Sequence, residues 1–400
     1  MNCLSIKDVN CQGKKVLLRV DFNVPFDAQG KITDSTRIKE SLPTIQYLLQ
    51  QKASLILLSH RGRPQGKDPA YTLKPCADAL SELLNQPVFF TTDCLGPATA
   101  KKIANLHPGE LLLLENLRFH EAEEKPDLDP SFAKILASYG DFYVNDAFSA
   151  SHRAHSSIVP LAQAFPFKAA AGLLLEKEIK TLSHMSKSPT PPFHLILGGS
   201  KISSKLPVIK ALLPKVQALY IGGGMAFTFL KALGFSIGNS CFEPEFEVEA
   251  QKILQHCQEK KIDVFLPIDI FAGQEFKDTT TKKLFSMNSG IPEGWQGMDV
   301  GPQTILQWEQ KLKTAHSIFW NGPLGVFEYT HFAEGTFALA KFLATLSSER
   351  IVGGGDSIAA IELLGLKKYF THASTGGGAS LEFLWKGTLP GVEALSQKKQ

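Results

Sequence analysis

LILGGSKISSK, residues 195–205, runs from an apolar stretch into paired glycines and then two lysines. A phosphate loop of the G-x-x-x-x-G-K-[ST] type has the same flavour but a different spacing, so the segment does not name its own ligand. It does set a local pattern: a short apolar run, a glycine turn, then a helix. Pro207 suits a first helical turn, which puts the helix start near Ser203 or Ser204 and Lys205 at its positive end. A lysine there opposes the helix dipole, whereas a bound phosphate would make lysine and dipole act together.

The same pattern repeats outward. Apolar runs KVLLRVDFNV, SLILLSH, ELLLLEN, DFYVNDAF, FHLILGG, ALYIGGG, DVFLPIDI, SIFWNG and RIVGGGDS alternate with helix-like segments such as SLPTIQYLLQQ, PSFAKILASYG, EVEAQKILQHCQEKK and EGTFALAKFLATL. Runs apolar on both faces, separated by helices, indicate an α/β protein with parallel sheets covered by helices. AGLLLEKEIKTLSHMSK reads as an amphipathic helix that SPTPP stops, and the domain boundary is expected there. GGG occurs at 222, 353 and 376, each near a short apolar run, without a fixed-period repeat.

A chain of 400 residues usually makes two domains, and a net charge of +3 is far from the basic excess of a nucleic-acid binder. Cys3, Cys11, Cys76, Cys94, Cys241 and Cys257 show no C-x-x-C pair and no Cys/His cluster at metal-ligand spacing, which suits reduced thiols. The start, MNCLSIKDVN, lacks the apolar stretch of a signal peptide, and no run has the length of a membrane span. A soluble, cytoplasmic protein with no nucleic-acid or membrane partner is expected.

In open parallel sheets the ligand crevice lies outside the carboxyl ends of the strands. In the first half the runs end in Asp21 and Asn23, in His60 and Arg63, in Glu115 and Arg118, and in Asn145 and Asp146 ahead of His152 and Arg153. In the second half they end in Gly198-Gly199, Gly222 to Gly224, Asn321-Gly322 and Gly353 to Asp356. VLLRVDFNV places Arg19, Asp21 and Asn23 on one face and Pro25 stops the strand, so Asp21 and Asn23 either meet a ligand or are solvated. Arg37, Arg61, Arg63, Arg118 and Arg153, with His60, His152 and His155 as further donors, would repel one another at one crevice unless a polyanion neutralised them. In the second half backbone N–H groups at glycine turns, with Lys201 and Lys205, suit nucleotide phosphates. Asp356 either caps its helix or holds magnesium beside a nucleotide. TGGGASLEFL is a further glycine turn at a helix start, either a plain turn or an anion site.

Cations in one half and amides with lysines in the other suggest phosphoryl transfer, with domain closure bringing donor and acceptor together and expelling water. RVDFNVP at 19–25, SHRGRP at 59–64, LLLLENLRFHEAEE at 111–124, VNDAFSASHRAHSS at 144–157, LILGGSKISSK, IGGGMAFTFLK, WNGPLGVFE and GGGDS together resemble the phosphoglycerate kinase family, in order and over nearly the whole chain.

The resemblance implies reversible transfer of the acyl phosphate of 1,3-bisphosphoglycerate to Mg2+-ADP, giving 3-phosphoglycerate and ATP in glycolysis, by a monomer. It implies two doubly wound, Rossmann-like parallel-sheet domains: residues 1–171 for phosphoglycerate, 172–190 as connecting helix and hinge, 191–380 for nucleotide, and 381–400 returning to the first domain. Asp21, Phe22, Asn23, Arg37, His60, Arg61, Gly62, Arg63, Arg118 and Arg153 would hold phosphoglycerate. Lys201, Lys205, Gly224, Gly297, Met298, Asn321, Glu328, Gly354, Gly355, Asp356 and Ser357 would hold the nucleotide, with Asp356 on magnesium and Glu328 at the ribose. Arg37, Lys201, Lys205 and the turn Thr375, Gly376, Gly377 and Gly378 would act on the moving phosphoryl group. The attacking carboxylate is already ionised at neutral pH, so no general base is required.

Arg61, Met298 and segment 272–286 depart from the family pattern and leave nucleotide preference open. Two rivals remain at this stage: an NAD-dependent dehydrogenase, for which no G-x-G-x-x-G follows a strand, and a catalytically silent binding protein on the same scaffold.

Overall fold

In the computed structural model, which describes residues 3–396, the chain forms two compact units. One holds the chain up to Lys180 together with the segment from Thr388 onward; the other is Thr181–Gly387. The division falls inside the helix Leu173–Lys187. Residues 381–387 stay in the second unit, where the helix Gly378–Lys386 packs on the helix Leu206–Leu212. The segment that rejoins the first unit thus starts at Thr388, and residues 397–400 of the expected return lie outside the described residues.

The first unit is built on strands β1 (Lys15–Arg19), β2 (Ser54–Leu58), β3 (Val88–Phe90), β4 (Leu111–Leu113), β5 (Phe142–Asn145) and β6 (Ala169–Ala171). They run in the order β3-β4-β2-β1-β5-β6, every neighbouring pair parallel, with Lys15 opposite Ser54 and Val16 opposite Phe142. Because helices cover a parallel sheet on both sides, β1 from Val16 and all of β2 are buried on both faces. Two expectations fail here for that reason. The strand ends at Arg19 rather than at Pro25, and Arg19, expected on a half-exposed face, is fully buried. The helix Thr36–Gln50 contributes Ile38, Ile45 and Leu48 to the core on one side of this sheet. The rejoining segment is fastened by Gly391 N–H donating to the Ser151 carbonyl at 2.8 Å and by a bridge between Cys3 and Ser396.

The second unit repeats the plan with β7 (Phe193–Leu197), β8 (Ala218–Ile221) and β9 (Asp263–Phe265), then β13 (Ser317–Asn321), β14 (Glu349–Gly353) and β15 (His372–Ser374). Their order is β15-β14-β13-β7-β8-β9, again all parallel. Tyr220 stacks on Phe265 with centroids 4.6 Å apart and meets Trp308 edge-on at 5.3 Å, filling one side of the sheet. Between β9 and β13 the chain adds a small antiparallel sheet of β10 (Asp269–Gly273), β11 (Lys283–Ser286) and β12 (Gln296–Val300), in the order β11-β10-β12. The run DVFLPIDI is therefore two strands. It breaks around Pro267, which has no N–H to give a ladder.

In both sheets the first strand of the unit is central and the connections leave it in opposite directions, β2 and β5 flanking β1, and β8 and β13 flanking β7. Such a switch of direction opens a crevice at the carboxyl ends of the central strands. All six cysteines are free, and no helix of the described residues is long and apolar enough to cross a membrane.

Candidate active site

At the carboxyl end of β1 the chain leaves the sheet as a sequence of small captures. Val20 N–H still follows the ladder to the Leu58 carbonyl at 3.0 Å, and Phe22 N–H donates to Ser59 Oγ at 2.8 Å. Asn23 N–H donates to Asp21 Oδ1 at 3.0 Å, a turn that aspartate favours. Asn23 Oδ1 then accepts the Gly62 N–H at 2.9 Å, so the loops after β1 and β2 are fixed to each other. Asn116, after β4, extends the frame: its Oδ1 accepts Arg61 N–H and Arg118 N–H, both at 3.1 Å.

Asp21 gathers the positive charge. Its Oδ2 takes the Arg37 guanidinium from the helix Thr36–Gln50 and the hydroxyl of Ser149 that follows β5. Burial pushes this carboxyl up, but Arg37, His60 and the Ser149 hydroxyl outweigh it and hold it well below the usual carboxylate range. Arg118 Nη1 donates to the Gly62 carbonyl at 2.6 Å and Nη2 pairs with Glu124 at 3.0 Å. Arg63 and Arg153 stand exposed, and their charges reach Arg118 and His155 respectively. His155 is pushed down to about 3 by burial and then by Arg118, Arg19 and Arg153, so it is a neutral donor at physiological pH. Cationic groups held this close are tolerated where a polyanion completes them.

Two of the expected contacts are otherwise employed. The Arg61 guanidinium lies 3.2 Å from the Phe26 ring centroid and donates to the Thr72 carbonyl at 2.9 Å, which turns its charge to local packing. The Phe22 side chain is fully buried in the core, and its N–H is taken by Ser59. Arg19 went unrecognised in the sequence. Its Nε donates to Ser157 Oγ at 2.8 Å, its Nη2 lies 3.0 Å from His60 Nδ1, and Glu123 sits 3.9 Å away. Three other residues that looked unrelated in sequence, Asp93, Cys94 and His120, bring ligand atoms within 4.8 Å of one another. His120 Nε2 is already 2.9 Å from Asp93 Oδ1, Lys67 pairs with the same carboxylate at 3.6 Å, and burial pushes the Cys94 thiol well up, all marks of a closed structural contact.

In the second unit the carboxyl ends of β7, β8 and β13 meet main chain to main chain. Gly198 N–H donates to the Asn321 carbonyl at 2.9 Å, Gly199 N–H to Pro323 at 2.8 Å and Gly223 N–H to Leu324 at 3.0 Å. A Cβ on Gly198 would lie 2.1 Å from the Pro323 carbonyl oxygen, one on Gly223 2.6 Å from the Gly199 backbone, and one on Gly322 2.3 Å from the Gly198 carbonyl oxygen. Only glycine lets three loops close this far. Beside them opens a cavity of about 240 Å³ lined by Gly199, Gly224, Gly297, Met298, Glu328 and Asp356 among others. Its apolar wall and few polar groups suit a flat aromatic ligand carrying charge at one end.

The helix Leu206–Leu212 begins slightly later than its sequence suggests, so Lys205 is its N-cap residue. Lys205 Nζ donates to Asn321 Oδ1, and burial pushes the amine down to about 8 although Asp356 opposes that. Asn321 Nδ2 is buried and has no partner among the described residues. Lys201 is exposed in the loop ahead. The helix Gly355–Leu363 begins after Gly354, at φ +90°, and carries Asp356 in its first turn with the carboxylate exposed. Ser357 Oγ accepts the Gly322 N–H at 2.7 Å, so this hydroxyl already ties the β13 loop. Gly376 and Gly377 precede the helix Gly378–Lys386, with Gly377 at φ +55° and Ser374 and Ser380 hydroxyls 2.6 Å apart across the turn.

Two parallel-sheet units, one presenting buried and exposed cations at its strand ends and the other glycine turns beside a cavity, define an α/β enzyme of the phosphotransferase type. A model of the family "Phosphoglycerate kinase" matches residues 6–386. The chain is 48% identical over 404 residues to the phosphoglycerate kinase of Fervidobacterium nodosum, covering 100% of both, and 48% identical to that of Chlamydia felis, covering 99% of both. Its fold matches the solved structure of phosphoglycerate kinase from Coxiella burnetii with a TM-score of 0.87, at 37% identity and covering 100% of both chains. The chain belongs to the phosphoglycerate kinase family. Neither the dehydrogenase nor the silent-scaffold alternative has support in these comparisons.

Proposed function

We propose that this chain is an ADP/ATP-dependent phosphotransferase acting on a carboxyl group: it moves the acyl phosphate of 1,3-bisphosphoglycerate to ADP, and in reverse phosphorylates the 3-phosphoglycerate carboxylate. The observation that carries this is the pair of unlike anion sites at equivalent strand ends: Asp21, Arg37, His60 and Arg118 in one unit, Lys205 and the interlocked glycines in the other.

Asn23, Arg37, His60, Arg63, Arg118 and Arg153 hold phosphoglycerate by charge and donor count. Arg61 and Phe22 shape the site without offering their side chains. Gly224, Gly297 and Met298 bound the base pocket, and Glu328 takes the ribose. Gly354, Gly355 and Asn321 Nδ2 supply donors to phosphate. Ser357 sets the loop that presents them. The moving phosphoryl group is neutralised by Arg37, Lys201 and Lys205, with the N–H groups of the Gly376–Gly377 turn at a helix start.

Magnesium fits this donor set. Asp356 is an exposed carboxylate on the cavity wall, and magnesium commonly takes one or two carboxylates with phosphate oxygens and water. When bound, the ion draws charge from the nucleotide phosphates. With both reactants anionic and the acceptor already ionised, the protein's own task is alignment and charge neutralisation. The protein works in the cytoplasm, and it does so as a monomer, whose molar mass light scattering checks.

Purified protein mixed with Mg2+-ADP and 1,3-bisphosphoglycerate should produce ATP. Omitting the metal should abolish the product, and NAD in place of ADP should give none. Loss of the acyl phosphate without formation of ATP, or no turnover at all, would contradict the proposal.

A further inference from the structure

Arg19 is the largest buried charge in the first unit, and a ligand-facing role cannot explain it, because it is fully enclosed. Its three nitrogens are all committed: Nε to Ser157 Oγ at 2.8 Å, Nη1 to the Val20 carbonyl, and Nη2 to His60 Nδ1 at 3.0 Å. Guanidinium stays protonated and offers donors only. Nδ1 of His60 must therefore be the acceptor, which leaves the ring neutral with its one hydrogen on Nε2. Among the described residues no partner takes Nε2, and His60 is 7% exposed.

We infer that Arg19 is a positioning residue that fixes His60 as the Nε2–H tautomer, so that His60 serves the phosphoglycerate site as a neutral hydrogen-bond donor. This rests on the function proposed above. The groups facing His60 make the arrangement one-sided. Burial opposes a charged imidazole first, then Arg19 and Arg118, while Asp21 alone favours it and the facing His155 is itself neutral in this range. Glu123 completes the frame from behind: it lies 3.9 Å from Arg19, and its Oε1 and Oε2 accept the Ser157 hydroxyl at 2.6 Å and N–H at 3.0 Å. Ser157 thus passes the carboxylate's hold to Nε of Arg19. A histidine set this way keeps one hydrogen aimed outward across the whole range in which a free histidine would titrate.

The test is a long-range proton–nitrogen NMR correlation on the full-length protein, with the His60 signals assigned by their loss in His60→Gln. Without ligand, from pH 5.5 to 8, Nδ1 should keep the shift of an unprotonated nitrogen and Nε2 that of a protonated one. A hydrogen on Nδ1, or both nitrogens protonated in that range, would overturn the inference. In Arg19→Met/Glu123→Gln, which removes both buried charges together so that neither is left unpaired, His60 should titrate within that range. Its affinity for 3-phosphoglycerate should also fall by about tenfold and become pH-dependent. A double variant that keeps the wild-type tautomer and a flat pH profile would also overturn it. Adding 3-phosphoglycerate to wild-type protein should shift Nε2. An unmoved Nε2 with the tautomer intact would remove His60 from the ligand site and leave the tautomer assignment standing, which separates failure of the functional proposal from failure of the Arg19 role.

Discussion

Lys205 Nζ donates to Asn321 Oδ1, so the amine at the start of one helix is held by the last residue of β13. The lysine is thereby kept half-buried, with an amide as its near partner. Its amine drops from 10.5 to about 8, the burial cost exceeding the help from Asp356. A phosphate arriving there would replace a weak partner with a strong one.

Lys205→Met should cut turnover by about 10²–10³-fold, the usual loss for one donor to a developing anion. The unliganded variant should be more stable than the parent at pH 7, by the order of 1–3 kcal/mol, because a half-buried, desolvated charge has been removed. Between about 8 and 10.5 the unfolded chain binds the proton that the folded one has lost, so parental stability rises with pH there. In the same protein kcat/KM should decline above pH 8. Steady-state kinetics and thermal denaturation across pH decide both halves, and a variant with near-parental turnover would remove Lys205 from the role.

Asp21→Asn should lower kcat/KM for phosphoglycerate by about 10–100-fold, the worth of a charge-assisted hydrogen bond, since Arg37 loses the carboxylate that orients it. ADP affinity, measured by calorimetry, should not change. Equal losses for both substrates would mean that the substitution had disturbed more than this contact.

Gly198→Ala should destabilise the protein by about 2–3 kcal/mol or more, because its new methyl would sit 2.1 Å from the Pro323 carbonyl oxygen, which cannot rotate away. Chemical denaturation gives the stability, and ADP affinity should weaken with it. Parental stability would show that the β7 and β13 loops have slack.

Asp146 accepts the Leu174 N–H at 2.9 Å and the Leu175 N–H at 3.1 Å at the start of the helix Leu173–Lys187, and burial raises its carboxyl from 3.8 to about 7. The folded protein therefore holds a proton on Asp146 that the unfolded chain releases between those values, so this group's contribution to stability falls as pH climbs from about 4 to 7. Asp146→Asn keeps an oxygen acceptor and needs no charge. It should flatten that slope and stabilise the protein above pH 7 by about 1–3 kcal/mol. Asp299, also raised to about 7 by burial, adds to the fall, while His60, His155 and His194, lowered by burial, oppose it below about pH 6.5. Denaturation midpoints from pH 4 to 8 provide the measurement, and an unchanged slope would exclude Asp146 as its source.

Most of the parallel sheet was legible because its strands are apolar on both faces, and SLILL or FHLIL can hardly be anything else between helices. The strand-end rule then located Asp21, His60, Arg118 and Lys205. Alternation misled at Arg19, where a single charge inside VLLRV imitates a solvated face although its acceptor Ser157 and its counter-charge Glu123 arrive from over a hundred residues away. The antiparallel sheet was invisible for the opposite reason: KLFS and QGMDV are short and half polar, and only pairing with β10 makes strands of them. Arg61 and Ser357 carry side chains of the right type, but nothing local in the sequence reveals that Thr72 and Gly322 have already claimed them.

Gly198, Gly223 and Gly322 each touch peptide atoms of another loop, so none of the three neighbours can be trimmed to make room. A second-site change has no neighbouring side chain to shorten, so repair must come from stability added elsewhere. Drift at these three codons therefore draws on the stability of the rest of the chain, whereas a methyl added in open space, as at Gly355, would not.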